Sequence, residues 1–190
     1  MYKQYLHNYI KVYNNFLALD FCDSVIDSLN NVNYIKHHYQ DYNDYVMPAQ
    51  KDDLQVTRTI IQEEEELNVA IVAAIETYMH KDMADFAHLW DTCNGFTKVR
   101  YNKYFVNTKM HQHIDHIHNI FDGKIKGIPT LSIVGLLNDN YTGGEFIMWD
   151  NTVINLTKGS ILIFPSTFMF PHRVNEIKSG VRHSFVSWTF

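Results

Sequence analysis

Tyr104-Phe-Val-Asn-Thr-Lys-Met-His-Gln-His113-Ile-Asp115 is the stretch on which the reading of this chain turns. It lies in a region where side chains alternate with a period of two, the pattern of half-buried strands. Alternate side chains of a strand share a face, so His113 and Asp115 are expected to point the same way, about one pleat apart. An imidazole and a carboxylate so spaced can take neighbouring positions on one metal ion. The third ligand has to come from another strand, and His172, directly after Pro171, is the candidate. Two imidazoles and a carboxylate form a facial triad that holds non-haem Fe(II) and leaves positions open. A closed zinc site takes four ligands, usually with cysteines among them.

Working outward, the period of two begins near residue 97 and persists to the end of the chain. Strands are expected over 97–106, 110–117, 129–138, 144–149, 152–156, 160–164, 169–174 and 181–189. Turn signals separate them: Asp122-Gly123, Asp139-Asn140, Gly143-Gly144, Lys158-Gly159 and Ser179-Gly180. Upstream the period is helical. Asp20 reads as an N-cap, followed on one face by Phe21, Cys22, Val25, Ile26 and Leu29, with Asn30-Asn31 as the end. A longer helix is expected to start at Thr57 or Thr59. It carries Glu63 to Glu66 early, where negative charge complements the helix dipole, and continues through Leu67, Ala70, Ile71, Ala74, Ile75, Tyr78 and Met79.

The alternation of Tyr5, His7 and Tyr9, then Ile10 and Val12, reads as an opening strand, and 82–96 as a short helix around Phe86, Leu89 and Trp90. Residues 32–56 show no clean period; Tyr34, Tyr39, Tyr42 and Tyr45 there belong either to a surface loop or to a lid over a substrate. Helices followed by eight short strands make an α+β pattern whose strands form a sandwich or barrel. A single domain is expected, with 1–96 as a helical support and 97–190 as the β core.

The composition is that of a globular protein, 46% apolar and 19% charged, and the net charge of −5 disfavours a nucleic-acid backbone as partner. Cys22 and Cys93 are too few for a disulfide framework, and the first residues lack the apolar core of a signal peptide. No membrane span is visible, and a cytoplasmic protein, monomeric or weakly dimeric, is expected. With 11 histidines the chain produces His-x-Asp by chance more readily than most. His111, His116 and His118 are rivals for the metal within the same stretch.

Tyr104, Asn107, Met110, His113 and Asp115 resemble a Tyr/Gly/Tyr/His/Asp pattern of the prolyl 4-hydroxylase-like branch of the Fe(II)/2-oxoglutarate oxygenases. The similarity continues through Pro129-Thr-Leu-Ser132, Leu136-Leu-Asn138, Tyr141-Thr-Gly-Gly-Glu145, Lys158-Gly159 and Phe164-Pro165. It ends with Pro171-His172-Arg-Val174, Gly180-Val-Arg182-His-Ser184 and Trp188. The wording is similar to that of small oxygenases carried by marine bacteriophages.

The resemblance implies a double-stranded β-helix (jelly-roll) core of about eight strands, with the N-terminal helices packed against one sheet. It implies Fe(II), 2-oxoglutarate and O2, with His113, Asp115 and His172 as the metal ligands. Arg182 sits where the family carries its Arg or Lys for the distal carboxylate of 2-oxoglutarate, and a planar guanidinium suits that role. Ser184 shares a strand face with Arg182 and can add a hydroxyl, Trp188 can wall the pocket, and Tyr104 is preferred to Tyr101 as a partner of the cosubstrate.

The departures are Asn107 for the usual Gly, Met110 for the usual Tyr, and Leu136 where a Tyr is frequent. The implied reaction is hydroxylation of a C–H bond, with a prolyl residue of a peptide or protein as the leading target. An oxygenase of a small molecule or nucleobase, or a lapsed jelly-roll binding module, is the alternative. Segment 117–128 reads as a surface loop or as a mobile rim.

Overall fold

Alternation in the second half of the chain sorts its side chains onto two faces, and each face is covered by a different layer. The computed structural model describes residues 2–38, 47–89, 95–115 and 129–190. Helix α1 (Tyr2–Leu6) runs into a 3-10 turn (His7–Tyr9), then strand β1 (Lys11–Tyr13), helix α2 (Leu19–Leu29), β2 (Ile35–Lys36) and β3 (Gln55–Thr57). Helix α3 (Glu64–Thr77) continues as a π turn (Tyr78–Asp82) and a 3-10 segment (Ala84–Leu89). The strands that follow are β4 (Arg100–Tyr104), β5 (Met110–His113), β6 (Leu131–Leu136), β7 (Thr142–Gly143) and β8 (Phe146–Met148). They end with β9 (Thr152–Ile154), β10 (Ile161–Pro165), β11 (His172–Val174), β12 (Ile177–Ser179) and β13 (Arg182–Trp188).

The large sheet has the order β1-β10-β6-β13-β4-β3-β2, a smaller one β5-β11-β8-β9, and β12 pairs with β7. These pairings are antiparallel. This is the two-sheet jelly roll. One face of the large sheet (Tyr101, Ile133, Ile161, Ile163 and Phe185) packs on α2 and α3 through Cys22, Val25, Leu67, Ile71 and Ala74. The other face (Tyr104, Val134, Leu162, Phe164 and Val186) packs on Phe146, Met148 and Val174 of the smaller sheet. Burying both faces of one sheet explains why β6 and β10 read as nearly continuous apolar runs. Phe185 lies opposite Gly135 in the β13–β6 pairing, and its ring occupies the space a side chain at Gly135 would need.

All eight expected strands are present, seven within narrower bounds and β10 one residue later at Ile161–Pro165, and the N-terminal half corrects several expectations. The first residues form a helix and a 3-10 turn, with a strand only from Lys11. Tyr5 is 67% exposed, so the alternation there never marked a buried face. Helix α2 is capped at Ala18, one residue before its start; backbone bonds from Phe16 and Leu17 to the Gly159 carbonyl (2.9 and 3.0 Å) fix where the chain turns. Asp20 therefore falls in the first turn, and Asn30 ends the helix in a right-handed conformation.

Helix α3 begins several residues later than expected. Thr57 is consumed by β3, and its hydroxyl pairs with that of Thr59 at 2.9 Å, so neither caps it. The pairs β1–β10, β2–β3 and β7–β12 involve segments too short to announce themselves by periodicity. Residues 39–46, 90–94 and 116–128 lie outside the described residues, and with them most of the tyrosine-rich stretch, Cys93 and the 117–128 segment. No helix among the described residues is long and apolar enough to cross a membrane.

Candidate active site

Strands β5 and β11 pair so that His113 lies directly opposite His172, with ring centroids 4.3 Å apart. Asp115 lies two residues beyond the end of β5, yet its carboxylate turns toward both rings: Oδ1 is 3.4 Å from His113 Nε2 and Oδ2 is 3.7 Å from His172 Nε2. Across the cleft, the Ser132 hydroxyl of β6 donates to Asp115 Oδ2 at 2.7 Å and so holds the carboxylate in place. Ser132 and Ser166 Oγ are also 2.7 Å apart. Because the single Ser132 proton goes to the carboxylate, Ser166 is the donor in that second bond.

Each imidazole is oriented from behind. His113 Nδ1 lies 2.8 Å from the His111 carbonyl, and His172 Nδ1 lies 3.1 Å from the Phe170 carbonyl. A carbonyl only accepts, so each Nδ1 carries the hydrogen and each Nε2 keeps its lone pair for an ion. Phe146 stacks on His172 at 5.2 Å and Phe164 meets it edge-on at 4.9 Å. Burial, reinforced by His113, pushes the His172 imidazole down to about 4, so it is neutral at neutral pH. Burial alone would raise the Asp115 carboxyl, but His172, His113 and the Ser132 hydroxyl outweigh it and hold the group well below the usual carboxylate range. One donor atom from each of the three residues lies within 4.8 Å of the others. Two imidazoles and an ionised carboxylate are a donor set that fits Fe(II).

At the other end of the cleft, β13 pairs with β4 so that Arg182 faces Tyr104, and with β6 so that Ser184 faces Leu136. Arg182 is 1% exposed; its Nη1 donates to Ser184 Oγ at 2.8 Å, and its Cζ lies 5.0 Å from the centre of the Tyr104 ring. Its Nε is buried without a hydrogen-bond partner. A bare guanidinium N–H in the interior is costly, and a bound carboxylate would satisfy it. Asn138 clamps the chain on both sides of this arginine: Nδ2 donates to the Val181 carbonyl and Oδ1 accepts from the His183 amide, each at 2.7 Å. Burial raises the Tyr104 phenol above its ordinary value despite the nearby Arg182, so its hydroxyl stays protonated. Both groups line one narrow cleft between the sheets, together with Arg100, Asn102 and Trp188.

The structure thus brings His113, Asp115 and His172 together, and beside them Tyr104, Arg182 and Ser184. Tyr101 turns to the helix side and its hydroxyl donates to Glu64 at 3.3 Å. His111 faces Asp52 and Asp53 at 3.6 and 3.8 Å, and Asp52 is already paired with Lys109 at 2.8 Å. His116 and His118 lie outside the described residues. Asn107 adopts a positive φ of 65°, the backbone for which the family pattern has Gly, and donates its amide to the Ile177 carbonyl at 2.9 Å. Asn tolerates this conformation better than other non-glycine residues, which accounts for the substitution. Reading the residues alone assigned no role to Ser132, Ser166, Asn138 or Arg100. The first three stand in or beside the motifs Pro129-Thr-Leu-Ser132, Phe164-Pro165 and Leu136-Leu-Asn138, which was the available signal.

Residues 99–190 match the model of the 2OG-Fe(II) oxygenase superfamily. A search of curated proteins finds no match. Among solved structures, the chain is similar to a viral collagen prolyl hydroxylase from Paramecium Bursaria Chlorella virus-1, a 2OG complex, with 17% identity and a TM-score of 0.64 over 95% of this chain and 94% of that one. It is also similar to a Pseudomonas putida prolyl-4-hydroxylase, with 14% identity and a TM-score of 0.68 over 95% and 91% of the two chains. A third relative is a prolyl hydroxylase from Trichoplax adhaerens, in complex with a hypoxia inducible factor peptide fragment, with 17% identity and a TM-score of 0.67 over 99% and 86%. At these identities the likeness is one of fold. The β core of this chain, residues 99–190, thus matches the 2OG-Fe(II) oxygenase superfamily, and the protein is a dioxygenase that uses Fe(II), 2-oxoglutarate and O2.

Proposed function

We propose that His113, Asp115 and His172 hold the Fe(II), and that Arg182, with Ser184 and Tyr104, holds the distal carboxylate of 2-oxoglutarate. We propose further that the C–H bond hydroxylated belongs to a prolyl residue of a peptide or protein. The observation that carries this reading is the convergence of three donor atoms from neighbouring segments beside a buried guanidinium with an unsatisfied Nε. The prolyl target is supported by the prolyl hydroxylases among the structural relatives, one of them in complex with a peptide.

When bound, the iron supplies the chemistry that couples oxidative decarboxylation of 2-oxoglutarate, to succinate and CO2, to hydroxylation of the substrate. The chain's own residues do the rest. His113 and His172 offer lone pairs fixed by the backbone carbonyls behind them, and the Ser166–Ser132 relay keeps Asp115 aimed. Arg182 orients the cosubstrate by paired hydrogen bonds, and the aromatic walls at Phe146 and Trp188 limit water in the cleft. No separate acid or base is assigned.

The test is to incubate the Fe(II)-loaded protein with 2-oxoglutarate under air and a set of proline-containing peptides, following succinate and peptide mass. The expected result is succinate formation and gain of one oxygen atom on a prolyl residue. Succinate without any modified peptide would count against the prolyl target, and no succinate with iron bound would count against the site.

A further inference from the structure

The run Glu63-Glu-Glu-Glu66 at the start of α3 has no part in the catalytic cleft. The helix packs through Leu67, Ile71 and Ala74 on the face of the large sheet that turns away from it. A helix N-terminus carries the equivalent of about half a positive charge. One carboxylate is enough to complement that, and four in succession leave a local excess of negative charge. Glu63 stands at the N-cap position, yet its side chain makes no capping hydrogen bond. Its Oε2 is buried without a hydrogen-bond partner, a costly state for a carboxylate oxygen.

The same helix presents an apolar strip to solvent. Val69 and Val72 are three residues apart on one face, and they are 65% and 44% exposed. β-Branched apolar residues are poor choices for the outer face of a helix, on grounds of propensity as well as solubility. Ile60, on the approach to α3, is 68% exposed. These three side chains line a shallow groove of about 590 Å³, with Glu64 and Glu65 beside them. A second groove of about 480 Å³ adjoins it, where Phe21 and Ser24 of α2 stand with Glu63, Glu65 and Glu66. Gln62, Glu65 and Val69 line both. Among the described residues lining the two grooves, four are glutamates and none is Lys, Arg or His. Asp20 and Asp27 lie one helical turn to either side of Ser24 on α2.

We infer that this face docks a basic amphipathic helix of a partner protein. The apolar stripe of the partner lies on Ile60, Val69 and Val72, and its Lys or Arg residues meet Glu63, Glu65 and Glu66. An apolar strip rimmed by charges of one sign is complementary to a helix of that kind. The same rim repels an anionic membrane surface, and it sets two copies of this face against each other. Because the cleft lies on the other side of the large sheet, occupancy of this face leaves the metal and cosubstrate groups untouched.

The experiment follows the anisotropy of three fluorescein-labelled peptides of about five helical turns, titrated with the full chain at about 0.15 M salt. The first is a Leu/Lys helix with leucine at every third or fourth position. The second is its scramble, with the same composition and charge, and the third has the first pattern with Glu for Lys. The first is expected to bind about tenfold or more tightly than either of the others. Glu65→Lys combined with Glu66→Lys should weaken it about tenfold. Val69→Asp should weaken it by a similar factor although it adds a negative charge, which separates docking in a groove from plain attraction. All three positions are exposed, and succinate formation at the wild-type rate shows that the variants are folded.

No binding of the first peptide, or equal binding of its scramble or of the Glu peptide, would overturn the inference. These comparisons are made on the wild-type chain and stand even where a variant fails to fold. A folded Val69→Asp variant that binds as well as wild type, or an unchanged affinity after charge reversal, would also overturn it. So would a wild-type chain that sediments as a dimer and that Val69→Asp splits into monomers, because a second copy would then cover this face.

Discussion

Arg182 and His183 are neighbours on β13, 1% and 7% exposed, and each carries a buried nitrogen without a hydrogen-bond partner, Nε in one and Nδ1 in the other. Yet they sit on opposite faces of the large sheet. On the cleft face, Arg182 is followed by Ser184, Val186 and Trp188, beside the His113–Asp115–His172 group. On the helix face, His183 is followed by Phe185, which packs with Tyr101, Ile133 and the residues of α3. The difference teaches how one strand divides its labour. The helix face is filled mostly by apolar side chains and supplies stability, whereas on the cleft face a bound carboxylate, as proposed above, would satisfy the buried polar groups.

The comparison breaks first at Phe185. Phe185→Ala should lose about 3–5 kcal/mol of unfolding free energy, as large aromatic deletions in cores do, and should leave the KM for 2-oxoglutarate of the remaining native protein near its original value. Chemical denaturation together with steady-state kinetics checks both, and a loss of less than about 1 kcal/mol would contradict the role given to the helix face.

Arg182→Gln reverses the signature. The KM for 2-oxoglutarate should rise about tenfold to a hundredfold while the unfolding midpoint moves little, and an unchanged KM would put the cosubstrate elsewhere. Ser132→Ala sharpens the account at the metal end. Loss of its bond to Asp115 should weaken Fe(II) affinity by about tenfold, measured by metal competition.

The smallest effect concerns pH. Burial, with Lys103 and Arg182 adding to it, pushes the His183 imidazole down to about 4. The unfolded chain takes up that proton near 6.5, so between these values it binds more protons than the native protein. Stability should therefore fall as pH drops through this window, by no more than about 1.4 kcal/mol per pH unit from this residue. His183→Gln should make the slope shallower in denaturant midpoints measured from pH 6.5 to 4, and an identical slope would mean that His183 is not held neutral.

The cleft face was legible in the sequence to the extent that it obeys parity. His113, Arg182 and Ser184 each share a face with the right neighbours, and the period of two is easy to see where both faces of a sheet are covered. Ser132, Ser166 and Arg100 were not legible, because a serine or arginine on a strand has no signature until the register of β6, β10 and β4 is known. The helix side shows the opposite pattern. The apolar residues of α2 and α3 were evident from spacing, but their starts were not, since they are set by backbone bonds to Gly159 and by the capture of Thr57 in β3.

The most direct test of the central claim is optical. Fe(II) and 2-oxoglutarate added without oxygen should produce a weak charge-transfer band in the visible, as expected when the cosubstrate chelates iron. The account predicts that the band forms with the wild-type protein and disappears in His113→Ala and in Asp115→Ala. A band unchanged in both variants would contradict it, since iron and 2-oxoglutarate would then meet somewhere other than the cleft beside Arg182.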